Sequence, residues 1–201
     1  MRRIISSVTD AIIKLFIYLE PGLRWKYYKL RNQILKQKMK KCGENCIIRG
    51  GVTILHPEGL SLGNNIHIGN NALIDALGGI SIGDNTHIAR NLTIYSYNHN
   101  YEGSVLPYDD TIIKKPVVIE KNVWIGADVK IAPGVTIGEG SIIGMGSLVG
   151  KDVPPLAIMV GKPLRIIKYR DRQHYDKLEK TSSYGGINGT PLKSADKKNG
   201  N

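Results

Sequence analysis

The chain predicts an all-β solenoid, a three-faced coil of short stacked strands with helices before and after it. Three observations carry that expectation. From Ile119 to Val149 an aliphatic residue returns at every sixth position: Ile119, Ile125, Ile131, Ile137, Ile143 and Val149. A period of six fits neither the 3.6 of a helix nor the 2 of a free strand; it fits one hexapeptide per face, stacked rung on rung. The same spacing runs upstream in shorter registers, through Ile48, Ile54 and Leu60, then Leu62, Ile68, Ile74 and Ile80, then Ile82, Ile88 and Ile94. The third observation is compositional: 23 Gly, one Phe and many Ile and Val suit short strands with tight corners. Each register change is a slip of two residues, which predicts a small loop at a corner.

Taken in order, residues 1–41 form a basic amphipathic segment. They hold eleven Lys and Arg against Asp10 and Glu20, a net of +9 out of +11 for the whole chain. Residues 4–19 place Ile4, Ile5, Val8, Ala11, Ile12, Leu15, Phe16 and Leu19 on one helical face, and Glu20-Pro21-Gly22 ends that run. It is shorter than the ~20 apolar residues that span a bilayer. A second, basic helix with Trp25, Tyr27 and Tyr28 is expected over 23–41. Two readings stay open: a cap over the solenoid's end, and a helix lying on an anionic membrane surface. Nucleic-acid binding is disfavoured, because no recognised module accompanies the charge.

The solenoid is expected over 42–163. Cys42 and Cys46, spaced C-x₃-C, lack a second ligand pair for zinc and read as two reduced thiols. No segment resembles a cleavable secretory signal, so a cytoplasmic setting, at the inner face of the membrane if the basic segment binds there, is the expectation. The repeat breaks after Ile94 and resumes near Val117, leaving a protruding loop at about 96–116. A long loop inside a strict repeat is a functional signal. A charged C-terminal helix is expected over 164–180, and 181–201, rich in Gly, Ser, Asn and Lys, reads as a disordered tail.

Of the five histidines, His67 and His87 fall at outward hexapeptide positions and read as exposed surface residues. His56 precedes Pro57 in an early turn, and His174 sits in the C-terminal helix. His99 lies in the long loop among polar and aromatic residues, where an imidazole can take a proton near neutral pH.

Tyr97-Asn98-His99-Asn100, the element Asn122-Val123-Trp124-Ile125-Gly126, and Gly150-Lys151-Asp152-Val153-Pro154 with Gly161-Lys162-Pro163-Leu164-Arg165-Ile166-Ile167 carry a resemblance. Over roughly 45–170 the chain is similar to the hexapeptide acyltransferases, closest to the maltose, galactoside, streptogramin and surface-polysaccharide O-acetyltransferases. The resemblance implies a left-handed parallel β-helix that forms homotrimers, with active sites between subunits and acetyl-CoA along the outside of the coil. It gives His99 the role of general base, deprotonating a sugar or glycan hydroxyl that attacks the thioester directly, with no protein nucleophile. Asp75 matches a carboxylate that binds the acceptor or orients the base. Trp124, Gly126, Ala127, Gly144 and Met145 match positions along the coenzyme, and Lys151, Lys162, Arg165 and Lys168 match the region of its phosphates. Two departures stand out: Gly150 replaces a frequent Thr, and Met145 replaces a small residue. No metal is expected. A small-molecule or antibiotic hydroxyl is the alternative acceptor. A γ-type carbonic anhydrase is disfavoured by the lack of a His-x₄-His-type pair, and a non-catalytic scaffold by the retained histidine, tryptophan and cations.

Overall fold

The computed structural model describes residues 21–161, 165–186, 190 and 192, with backbone only for 21–25. The helical run expected over 4–19 lies outside the described residues. The chain divides into two units, Met1–Leu35 and Lys36–Asn201.

The first unit contributes most of helix α1 (Pro21–Lys38). Pro21 begins the helix, where its missing N–H costs no hydrogen bond, and Lys36 and Lys38 sit in the last turn, where the helix dipole favours cations. Tyr27, Leu30 and Ile34, spaced three and four apart, are all exposed and so form one apolar stripe. Among the described residues no helix is long and apolar enough to cross a membrane.

The second unit is a left-handed parallel β-helix of about six turns. Its strands fall on three faces. The first face stacks Lys41–Cys42, Leu60–Leu62, Ile80–Ile82, Val117–Ile119 and Thr136–Ile137; the third stacks Thr53–Leu55, Leu73–Asp75, Thr93–Tyr95, Lys130–Ile131 and Leu148–Val149. The second face has seven strands, ending in Ala157–Val160 and an antiparallel edge strand, Arg165–Tyr169. The inward column of the second face runs Ile48, Ile68, Ile88, Ile125, Ile143 and Met159, all buried. Like stacks on like because each rung pairs the same strand position with the next.

Corners need left-handed backbone, and asparagine supplies it at low cost. Asn45, Asn65, Asn85 and Asn122 all have φ between 54° and 61°, and Asn65 Nδ2 donates to Asn85 Oδ1 at 2.9 Å. The two-residue slips fall elsewhere than the sequence suggests. They lie inside the strands Leu60–Leu62 and Ile80–Ile82, whose first and third residues both point inward, as alternate strand residues must. The extra length sits in the corner before each strand, at 56–59 and 76–79.

The expected helix over 164–180 is corrected to a strand followed by a shorter helix. Arg165–Tyr169 pairs with Ala157–Val160, consistent with the β-branched Ile166 and Ile167. Helix α2 (Arg172–Lys180) starts only after Asp171, whose side chain accepts from the His174 N–H at 2.6 Å as an N-cap. Tyr175 fastens α2 to the solenoid by donating to Glu139 at 2.8 Å, while Asn122 donates to Glu179 at 2.6 Å. The start of the expected tail is also held in place: 181–182 form a turn, Gly185 makes a β-bridge, and the Tyr184 hydroxyl donates to Glu179 at 3.3 Å.

At the opposite end of this unit both cysteines are free thiols. A hydrogen bond from Cys46, reinforced by the charge of Lys36, lowers the Cys42 thiol to about 7, whereas Cys46 is pushed up by that same bond and by burial.

Candidate active site

The corner between the third and first faces carries the long insertion. In successive rungs it is made by 56–59, 76–79, 96–116, 132–135 and 150–152, and the insertion leaves the rungs in register: Ile80–Ile82 still pairs with Val117–Ile119. A Cβ on Gly59 would collide with the Ala76 carbonyl, and one on Gly78 with the Ser96 carbonyl. Only glycine lets these corners stack so closely.

Within the insertion, Tyr97–His99 and Ile112–Lys114 form an antiparallel hairpin. Asp109 ties its tip together, accepting from Thr111 N–H at 2.9 Å and from Ser104 N–H and Asn100 Nδ2 at 3.2 Å. These bonds, the Thr111 N–H first, hold its carboxyl below the usual range. The His99 ring is stacked on Tyr108, with centroids 4.1 Å apart and planes 19° from parallel, and meets Tyr97 edge-on at 6.2 Å. Among the described residues its imidazole has no hydrogen-bond partner, so both ring nitrogens remain available to a ligand.

Asp75 lies beneath this hairpin, buried at 2% exposure. It makes no hydrogen bond with His99. Its Oδ1 instead lies 2.8 Å from His56 Nδ1, and its carbonyl accepts from Ser96 Oγ at 2.9 Å. Tyr97 is close enough that burial, then the charge of Asp75, pushes its phenol upward. His56 is the residue that sequence reasoning left in a turn. The 20-residue rung, which pairs Leu55 with Asp75, was the signal that places it under this corner.

The other sequence-selected residues lie around the second face. Trp124, 56% exposed, stands in register between His87 and Ile142, and the same row continues through Ile158 to Lys168. Gly126, Ala127, Gly144 and Met145 make the next corner. A Cβ on Gly126 would lie 2.6 Å from Met145 N, so stacking of the backbone requires that glycine, while one on Gly144 would meet the Val160 Cγ1 methyl at 2.5 Å. Met145 is 77% exposed beside them. Arg165 pairs opposite Val160 near this corner, while Lys151 lies on the His99 corner, further along the coil. Lys162 lies outside the described residues.

His67 and His87, expected as exposed surface residues, do sit at outward positions but are partly buried; they lie 5.8 Å apart edge-on and line a cleft of about 870 Å³ with Arg49, Trp124, Arg170 and Tyr184. Arg49 Nε donates to His67 Nε2 at 3.2 Å. Burial lowers both histidines from 6.5, and the charge of Arg49 lowers His67 further. Below pH 6.5 the unfolded chain therefore binds more protons than the folded one, and stability falls as pH falls. A His67→Gln/His87→Gln double variant is expected to show a shallower loss of melting temperature between pH 7 and pH 5 than wild type.

The residues selected from the sequence thus fall into two groups on one chain: His99, Asp75 and Lys151 on one corner, Trp124, Gly126, Ala127, Gly144, Met145, Arg165 and Lys168 on the second face and the corner after it. Among the described residues no three His, Cys, Asp or Glu side chains gather to hold a metal ion.

Residues 116–151 match the family model for the bacterial transferase hexapeptide (six repeats), and 42–76 and 59–96 match the hexapeptide repeat of succinyl-transferase. Comparison with curated protein sequences finds no match. Among solved structures, a maltose O-acetyltransferase from Clostridium difficile 630 is 33% identical with TM-score 0.61, over 72% of this chain and 77% of that one. A galactoside acetyltransferase in complex with coenzyme A is 30% identical with TM-score 0.65, over 74% of each chain. A hexapeptide-repeat-containing acetyltransferase from Vibrio cholerae, complexed with acetyl coenzyme A, is 27% identical with TM-score 0.65, over 72% of this chain and 78% of that one. The chain belongs to the hexapeptide-repeat acyltransferases.

Proposed function

We propose that the protein transfers an acetyl group from acetyl-CoA to a sugar hydroxyl, with His99 as general base. The observation that carries this reading is the His99 imidazole: fixed by stacking on Tyr108, free of hydrogen bonds among the described residues, and held on the long insertion in the solenoid. A ring nitrogen takes the hydroxyl proton as the acceptor oxygen bonds to the thioester carbon; the C–S bond then breaks, and the imidazolium returns that proton to the departing sulfur, so the coenzyme leaves as its thiol and the base is regenerated. Backbone donors or a cation stabilise the intermediate oxyanion. The exposed ring of Tyr108, stacked on His99, and the half-exposed Tyr97 beside it suit the apolar face of a sugar, with hydroxyls for its rim.

The coenzyme arm lies against Trp124, Gly126, Ala127, Gly144 and Met145, and its phosphates meet Lys151, Lys162, Arg165 and Lys168. The two-part layout favours a homotrimer in which the His99 corner of one subunit faces the Trp124 side of the next. Calorimetry tests the donor site: acetyl-CoA is expected to bind saturably, near one per chain, in wild type and in His99→Ala alike. Absence of binding to acetyl-CoA and to free CoA would overturn the reading.

The acceptor is a surface-polysaccharide or lipid-linked glycan unit, at the inner face of the membrane. The apolar stripe of Tyr27, Leu30 and Ile34 on a strongly basic segment supports contact with anionic lipid. Deleting residues 1–41 is expected to abolish co-sedimentation with phosphatidylglycerol vesicles; equal binding by the truncated chain would remove the membrane role. Acetylation of antibiotic hydroxyls in preference to glycans would favour the alternative acceptor class.

A further inference from the structure

The acyl-transfer scheme leaves one histidine at this corner without a task. His56 is built in a costly way: it has φ 52° and ψ 55°, left-handed backbone, although it is not glycine and precedes Pro57. That conformation turns its ring toward Asp75 on the adjacent rung, 2.8 Å away. A carboxylate oxygen can only accept, so His56 Nδ1 carries a proton, and in the neutral ring Nε2 presents a lone pair. The side chain is 41% exposed while that of Asp75 is 3% exposed. A buried acid thus fixes the tautomer of an accessible imidazole, the arrangement that orients a histidine toward a ligand. Asp75 connects it to the insertion through Ser96 and the neighbouring Tyr97, whose ring contacts His99.

Resting on the sugar-acceptor reading above, we propose that His56, oriented by Asp75, is a second acceptor contact and a determinant of specificity. Its Nε2 accepts a hydrogen bond from a hydroxyl near the one that His99 deprotonates. The preferred acceptor is therefore a polyol unit carrying at least two neighbouring hydroxyls, not an isolated alcohol. Asp75 is a positioning residue that acts through His56.

Full-length protein labelled with ¹⁵N-histidine tests this directly. The His56 ring is expected as the Nδ1–H tautomer in wild type and as a mixture in Asp75→Asn. Methyl β-galactoside or maltose is expected to shift its Nε2 resonance, and 1-propanol to leave it in place. In kinetics, His56→Gln is expected to raise the acceptor KM about tenfold, the loss of one oriented hydrogen bond, without changing the KM for acetyl-CoA. A His56 resonance indifferent to both sugars, or an unchanged acceptor KM in the glutamine variant, overturns the proposal and leaves acetyl transfer intact. Sugar-dependent shifts without acetyl-CoA turnover on any acceptor would remove the reaction reading and leave the sugar contact standing. Should His56→Gln fail to fold, the wild-type titration decides alone.

Discussion

Replacing His99 with alanine is expected to lower acetyl transfer by about 10²–10⁴-fold, the range that a positioned general base contributes. The residue lies in an insertion outside the stacked rungs, and among the described residues its side chain makes no hydrogen bond. The variant should therefore melt like wild type and bind acetyl-CoA with the same affinity, so that the loss falls on kcat. Stopped assays of acetylated acceptor, run beside calorimetry on the same preparation, separate the two effects. Turnover unchanged in His99→Ala would take the residue out of the mechanism.

The second large effect concerns the scaffold. Ile125 is fully buried, with Ile88 on the rung below and Ile143 on the rung above, both about 1% exposed. Ile125→Ala is expected to cost about 2–5 kcal/mol, because the removed atoms lose their apolar surroundings and stiff neighbouring rungs cannot collapse into the gap. For a chain of this size that is a fall in melting temperature of about 5–20 °C. Val118 offers the contrast: it lies on an outer surface at 37% exposure, and Val118→Ala should shift stability by no more than about 0.5 kcal/mol. A thermal melt of the two variants checks both numbers, and equal losses would contradict the assigned inward column.

The solenoid was legible in the chain because its core is periodic: every inward aliphatic from Ile119 to Val149 is a position the structure buries. The insertion was legible for the same reason, as an interruption of that period. Asparagine's role at the corners was equally written in the chain, since Asn45, Asn65 and Asn85 recur every 20 residues, but a search tuned to six passes over it. The C-terminal strand was not legible. Arg165–Tyr169 pairs only because Ala157–Val160 offers an edge, a tertiary fact that local propensity does not contain. Nor was the partner of Asp75. A carboxylate after an inward isoleucine suggests a ligand contact, but which imidazole it meets depends on the left-handed turn at His56, and few sequence signals announce such a turn outside glycine and asparagine.

The unbroken pairing of Ile80–Ile82 with Val117–Ile119 across the insertion has an evolutionary corollary. Because the coil closes around the segment as if it were absent, 96–116 behaves as an exchangeable cassette: apart from His99 and the ring that holds it, its length and chemistry are free to drift while the rungs that fold the protein stay under their own constraint. Changes within those residues can then reshape the surface around His99, with the stacked rungs of the second face inherited unchanged.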